Sequence, residues 1–170
     1  MTWKTMSDVP NKTVRLFLQE AGKQYDANRG YRPFKKDAEI LDRFRNRCAY
    51  CGEEAIRLVD EHVLGINRQW AGLHAWGNIV PSCSPCNVSK ANKEWRTTTT
   101  LNDKRREAIE DYIRDYRYAP DVDELKVVLG KLYELSDKQN RSLIAFGLVA
   151  TRPYLEGLDK PIVAKPETEG

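Results

Sequence analysis

All four cysteines and both histidines of this 170-residue chain fall between positions 48 and 90. The cysteines form two pairs, Cys48-x2-Cys51 and Cys83-x2-Cys86, with 31 residues between them. Zinc takes four soft ligands in a tetrahedron, and a CxxC turn aims two sulfurs at one point. Gly52 after the first pair and Pro85 inside the second suit tight turns. Two disulfides would need an oxidising compartment, for which there is no signal, and a redox CxxC does not explain a second pair of the same form. The expectation is a structural zinc ion on Cys48, Cys51, Cys83 and Cys86. A site closed by four thiolates has no open position, so chemistry must come from other residues.

Those residues lie between and beside the pairs. "LVDEHV" carries Glu61 and His62 side by side, Asn78 follows in "GNIV", and Asn87 and Lys90 follow the last cysteine in "CNVSK". In order and spacing this segment resembles the HNH endonucleases, the ββα-metal nucleases, in their subgroup with a four-cysteine zinc knuckle. The resemblance covers about a quarter of the chain and does not extend to its flanks. It implies metal-dependent hydrolysis of DNA phosphodiester bonds. By the same resemblance His62 is the general base toward water, Glu61 and Asn87 are ligands of one catalytic Mg²⁺ or Mn²⁺, and Asn78 orients the loop and the base. Histidine suits that role because its ordinary pKa lies near neutrality. Hard oxygen donors suit such an ion. Lys90, Arg68 and Lys93 are expected at nucleic-acid phosphates. The family more often has Asp or His at position 61, so Asp60 is the alternative acidic ligand after a local bulge. A restriction, phage or defence nuclease fits equally well.

Other residues carry weaker signals. His74 has no place in the motif and is read as structural, with substrate contact or a supplementary metal ligand as the alternative. Trp70 and Trp76 are expected in the core over the knuckle, or as a stacking surface. The competing class is a zinc-stabilised nucleic-acid-binding module without catalysis; a pure reader has no need of the Glu-His and Asn-Asn set.

The positioning elements read as α+β and mainly helical: a ββα-metal core around the zinc site, flanked by helices. Residues 1–47 form a helical basic segment, 48–96 the core and 97–170 a helical segment. Their net charges are +5, 0 and −2. A basic front end suits a polyanion. The Lys and Arg residues at 29, 32, 35, 36, 43, 45 and 47 are either a solvated helix face or backbone contacts. Apolar spacing predicts helices over 12–25 and 35–47. Strands are expected over 56–64 and 78–81, the start of a helix within 86–95, and a helix over 101–118. Two capping-box patterns, Asp121/Glu124 and Ser136/Gln139, predict separate helices over 121–135 and 136–150, then an extended tail from Thr151. No apolar run could span a bilayer, and "MTWKTMSDVP" lacks the apolar stretch of a secretory signal, so the expected compartment is the cytoplasm, with no membrane partner. A two-fold DNA target would favour a homodimer built on 101–150.

Overall fold

The computed structural model describes residues 5, 7–35 and 38–155. Helix α1 spans Asp8–Asn28 and buries Val14, Leu18, Gly22 and Asp26, every fourth position along one face. Helix α2 is only Ala38–Arg43. The expected helix over 35–47 is cut short because Arg45 and Asn46 take positive φ (55° and 56°), which no helix continues through. Residues 36 and 37 lie outside the described set.

The chain then forms an antiparallel pair, β1 (Val59–His62) and β2 (Ile79–Ser82), and enters helix α3 (Ser84–Lys90). Glu61 faces Val80 and His62 faces Ile79 in the register. The strand expected over 56–64 shrinks to these four residues, since β2 offers only four partners, and Ile56 is left exposed. Helix α4 spans Asp103–Asp115, with the Asn102 side chain accepting from the Arg105 N–H at 3.0 Å as its N-cap.

Helix α5 corrects the sequence reading most. It is one helix of 34 residues, Val122–Leu155. Asp121 does cap it, accepting from the Glu124 N–H at 2.9 Å. Ser136 does not start a second helix. Its hydroxyl instead meets Thr13 of α1 at 3.0 Å, and no proline or turn breaks the backbone around it. A Ser-x-x-Gln pattern caps a helix only where the chain has somewhere to turn. Thr151–Leu155, expected as tail, are helical; residues 156–170 lie outside the described set.

Two apolar clusters form the interior. One gathers Phe34, Ile40, Phe44, Tyr50, Trp76, Trp95, Ile109 and Tyr112 around the cysteines. The other packs Val14 and Leu18 of α1 against Ile66, Leu73, Tyr118 and Leu129. Each draws on all three sequence segments. The far half of α5 leaves the body, with Leu143, Phe146, Leu148 and Val149 exposed. Among the described residues no helix is long and apolar enough to cross a membrane.

Candidate functional site

The cysteines converge. Their four sulfurs lie within 4.8 Å of one another, and the Cys51 and Cys83 sulfurs are 3.8 Å apart. A tetrahedron with zinc–sulfur bonds of about 2.3 Å has edges of about 3.8 Å, so this set can hold a zinc ion. Local structure explains the convergence. The Gly52 N–H returns to the Cys48 carbonyl at 2.9 Å, closing the first knuckle. The Ala49 N–H donates to the Pro81 carbonyl at 2.8 Å, tying that knuckle to the end of β2. Cys83 caps α3 and Pro85 sits in its first turn.

The thiols sit in opposed environments. Burial works to raise the Cys48 pKa, but backbone N–H groups of Cys51, Cys83 and Tyr50 outweigh it and bring it to about 7. Burial pushes Cys51 and Cys86 up. Four sulfurs this close cannot all ionise without a cation among them.

Glu61 and His62 leave β1 beside the same groove, a cavity of about 460 Å³ that also meets α1 and the loop after the strand. Asp60 does not line it. The Glu61 carboxylate accepts from the Lys90 ammonium at 2.7 Å, and the Lys90 side chain is 1% exposed. Lys90 is thus buried on Glu61, not presented to solvent as a phosphate contact. Burial raises the Glu61 pKa, and the hydrogen bond and charge of Lys90 oppose that without cancelling it.

His62 Nε2 lies 3.0 Å from His74 Nδ1. His74, read from sequence as structural, is therefore the direct partner of the expected base. Burial, aided by the charges of His74, Lys90 and Arg15, lowers the His62 pKa to about 3. Burial also lowers His74, with the Asp60 charge acting the other way. Both rings are neutral at pH 7, so one nitrogen of the pair donates and the other accepts.

No known protein family, curated protein or solved structure matches this chain.

Three devices hold the histidines together. Asn78, fully buried, accepts from the Leu64 N–H at 2.8 Å and donates to the carbonyls of Leu64 (3.0 Å) and Leu73 (2.7 Å). It clasps the residues just after His62 to the one just before His74. Buried Asp26 accepts from the N–H groups of Phe34 (3.0 Å) and Trp76 (3.1 Å) and pairs with Arg29 at 2.8 Å, pinning the same loop to α1. Gly22 lets that loop lie on the helix: a Cβ there would stand 2.3 Å from the His74 carbonyl oxygen.

The remaining expected residues are spread out. Asn87 is half-buried on α3, one turn before Lys90; it does not line the groove, and its side chain makes no hydrogen bond among the described residues. Arg68 lines the groove, its guanidinium 3.6 Å from the Tyr133 ring centroid. Lys93 is exposed beyond α3. Trp76 is core, stacked on Tyr116, but Trp70 is only half-buried, donating to the Asn92 carbonyl at 2.7 Å. Much of the basic front end is already paired: Arg29 with Asp26, Arg32 with Glu39, Arg43 with Asp115 and Arg47 with Glu54. Lys36 lies outside the described residues.

Proposed function

We propose that the chain is a metal-dependent endonuclease of HNH type, hydrolysing DNA phosphodiester bonds in the cytoplasm as a restriction, phage or defence enzyme. The observation that carries this is the β1–β2–α3 unit over the four-cysteine cluster, with a carboxylate and a neutral histidine opening into one groove. Zinc on the four thiolates holds the unit together. A Mg²⁺ or Mn²⁺ ion, when bound, would stabilise charge on the phosphate and the leaving 3′ oxygen. By chemistry the donor types suit it, since Glu61 has a second oxygen beyond the one on Lys90 and the Asn87 amide is unspent, but Asn87 lies outside the groove that Glu61 lines.

His62 acts as the base. If its Nε2–H donates to His74 Nδ1, the lone pair left for the water proton is on Nδ1. Burial keeps the ring neutral but weakens it as a base, and a phosphate anion in the groove would act to raise its pKa again. Asn78 and His74 position the ring; Lys90 steadies the Glu61 carboxylate. The enzyme pairs with a second copy through the projecting half of α5. That half carries no charged residue from Ser142 to Thr151 to repel its own copy. A monomer mass at micromolar concentration, with and without DNA, would count against the dimer.

A second reading, a zinc-stabilised nucleic-acid-binding module without catalysis, is favoured by the placement of Asn87 outside the groove and of Glu61 on Lys90. Plasmid cleavage separates the two. Supercoiled DNA should be nicked or linearised with added Mg²⁺ or Mn²⁺, and not by His62→Ala. Intact binding with no cleavage in either metal would leave the binding module standing.

A further inference from the structure

The groove beside His62 has a wall that the sequence motif does not supply. Arg15 enters it from α1, and Arg68 enters it from the loop after β1. Arg15 is exposed and has neither an ion pair nor a hydrogen bond among the described residues. Arg68 has no carboxylate partner there either; its guanidinium rests on Tyr133 of α5. Arg29, Arg32, Arg43 and Arg47, by contrast, are each paired to an acid. The one acid lining the groove is Glu61, and Lys90 already balances it. Two guanidinium charges therefore face this space uncompensated. Besides His62, the other polar lining is amide: Asn11, Asn67, Gln69 and Asn92. That surface suits a phosphate ester and disfavours a cationic or apolar ligand. A guanidinium presents a planar fork that matches phosphate oxygens in pairs.

We infer that Arg15 and Arg68 form a backbone clamp, binding the DNA phosphates that flank the scissile one and laying the strand across His62. This rests on the nuclease reading for the identity of the ligand, and it moves backbone binding away from the basic 29–47 stretch. The flanking helices thereby serve the groove, α1 by presenting one arginine directly and α5 by supporting the other through Tyr133. Arg15 sits next to Val14, which is buried against α5, so the packing that builds the core also sets the arginine at the groove.

The test is binding of a fluorescently labelled DNA duplex to the zinc-loaded protein, with no Mg²⁺ or Mn²⁺ added, over a range of salt. Arg15→Ala and Arg68→Ala should each weaken binding and flatten the plot of log affinity against log salt by about 0.9, the counterion release of one phosphate contact. The double variant should lose about twice that. Arg15→Lys should keep the slope and bind more weakly, since it keeps the charge and loses the fork. Arg114→Ala, whose partner is Asp111 away from the groove, should change neither. Both arginines are exposed, so Arg15→Ala should keep the wild-type melting temperature and Arg68→Ala should lower it only slightly, through loss of the Tyr133 contact. Slopes equal to wild type for Arg15→Ala and Arg68→Ala would overturn the clamp, even if the protein cuts DNA. Inorganic phosphate displacing the duplex at equal phosphate concentration would overturn the assignment to a polymer backbone. Arginine-sensitive binding with no cleavage in Mg²⁺ or Mn²⁺ would support the clamp and remove the nuclease reading alone.

Discussion

Lys90→Met is the most exacting perturbation of this site. It keeps the length and apolar stem of the lysine and removes only the ammonium. In the wild type that ammonium is 2.7 Å from Glu61, with the two side chains 1% and 13% exposed. Without it a carboxylate is left in a dry setting with no countercharge. Breaking a buried pair from one side costs about 3–5 kcal/mol, because the partner stays buried and charged. For a chain of this size that is a melting temperature lower by roughly 6–20 °C. Glu61→Gln should also destabilise, by stranding the ammonium. The double variant should cost less than the sum of the two by about 1–3 kcal/mol, since neither charge is then left alone.

The pH dependence has a definite sign. Burial already raises the Glu61 pKa above its ordinary 4.5, and Lys90 is the group that opposes this. Removing Lys90 lets the pKa climb further. The folded variant then holds a proton that the unfolded chain releases above pH 4.5, so stability falls as pH rises. The deficit against wild type should be small below about pH 4.5 and grow toward neutrality. Urea denaturation of the zinc-loaded proteins between about pH 5.5 and 8, where the cysteines keep their zinc, measures its growth. A Lys90→Met protein within about 1 kcal/mol of wild type at pH 7 would refute the buried pair. If the same variant bound DNA more weakly, Lys90 would be returned to the phosphate role its motif position suggests.

Stripping zinc with a chelator should abolish the cooperative melting transition of the cysteine cluster, because binding free energy at such a site is folding free energy; an unchanged transition would exclude a structural zinc. On the proposed nuclease reading, His74→Ala should lower the cleavage rate more than DNA affinity, with partial rescue by His74→Asn, whose oxygen can accept where Nδ1 did; equal loss of both parameters would show a general unfolding of the loop. Gly22→Ala should destabilise by about 1–3 kcal/mol through the clash with the His74 backbone, seen as a lowered urea midpoint at unchanged slope. A neutral Gly22→Ala would mean that the loop does not lie on α1 as described.

Much of the site was legible because its signals are local. The CxxC spacing reports a turn that can aim two sulfurs, whatever the rest of the chain does. Asp121 was readable as a cap because a cap is made within four residues. Glu61, His62 and Asn78 stood out by type and order. Their partners did not: the Glu61–Lys90 pair spans 29 residues, and the His62–His74 pair joins a strand end to a loop. Arg15 carries no local signal that sets it apart from other charges on the exposed face of an amphipathic helix. Ser136 misled because its pattern is a cap only at a break, and its hydroxyl was used across α1 instead.

By itself the sequence determined which groups are available and the turns that present them: four cysteine sulfurs in two knuckles, a carboxylate beside a histidine, and helices with one apolar face. Tertiary structure alone decided which of those groups meet. Gly22 and Asp26 on α1 fix where the His74 loop lies, and Asn78 clasps it to the strand end. The packing of α1 on α5 sets Arg15 and Arg68 at the groove. Burial then turns Lys90 from a surface cation into a partner for Glu61 and keeps His62 neutral. The reason is physical. Desolvation and countercharge act over a few ångströms in space, and positions far apart in sequence reach that distance only when the cores have formed.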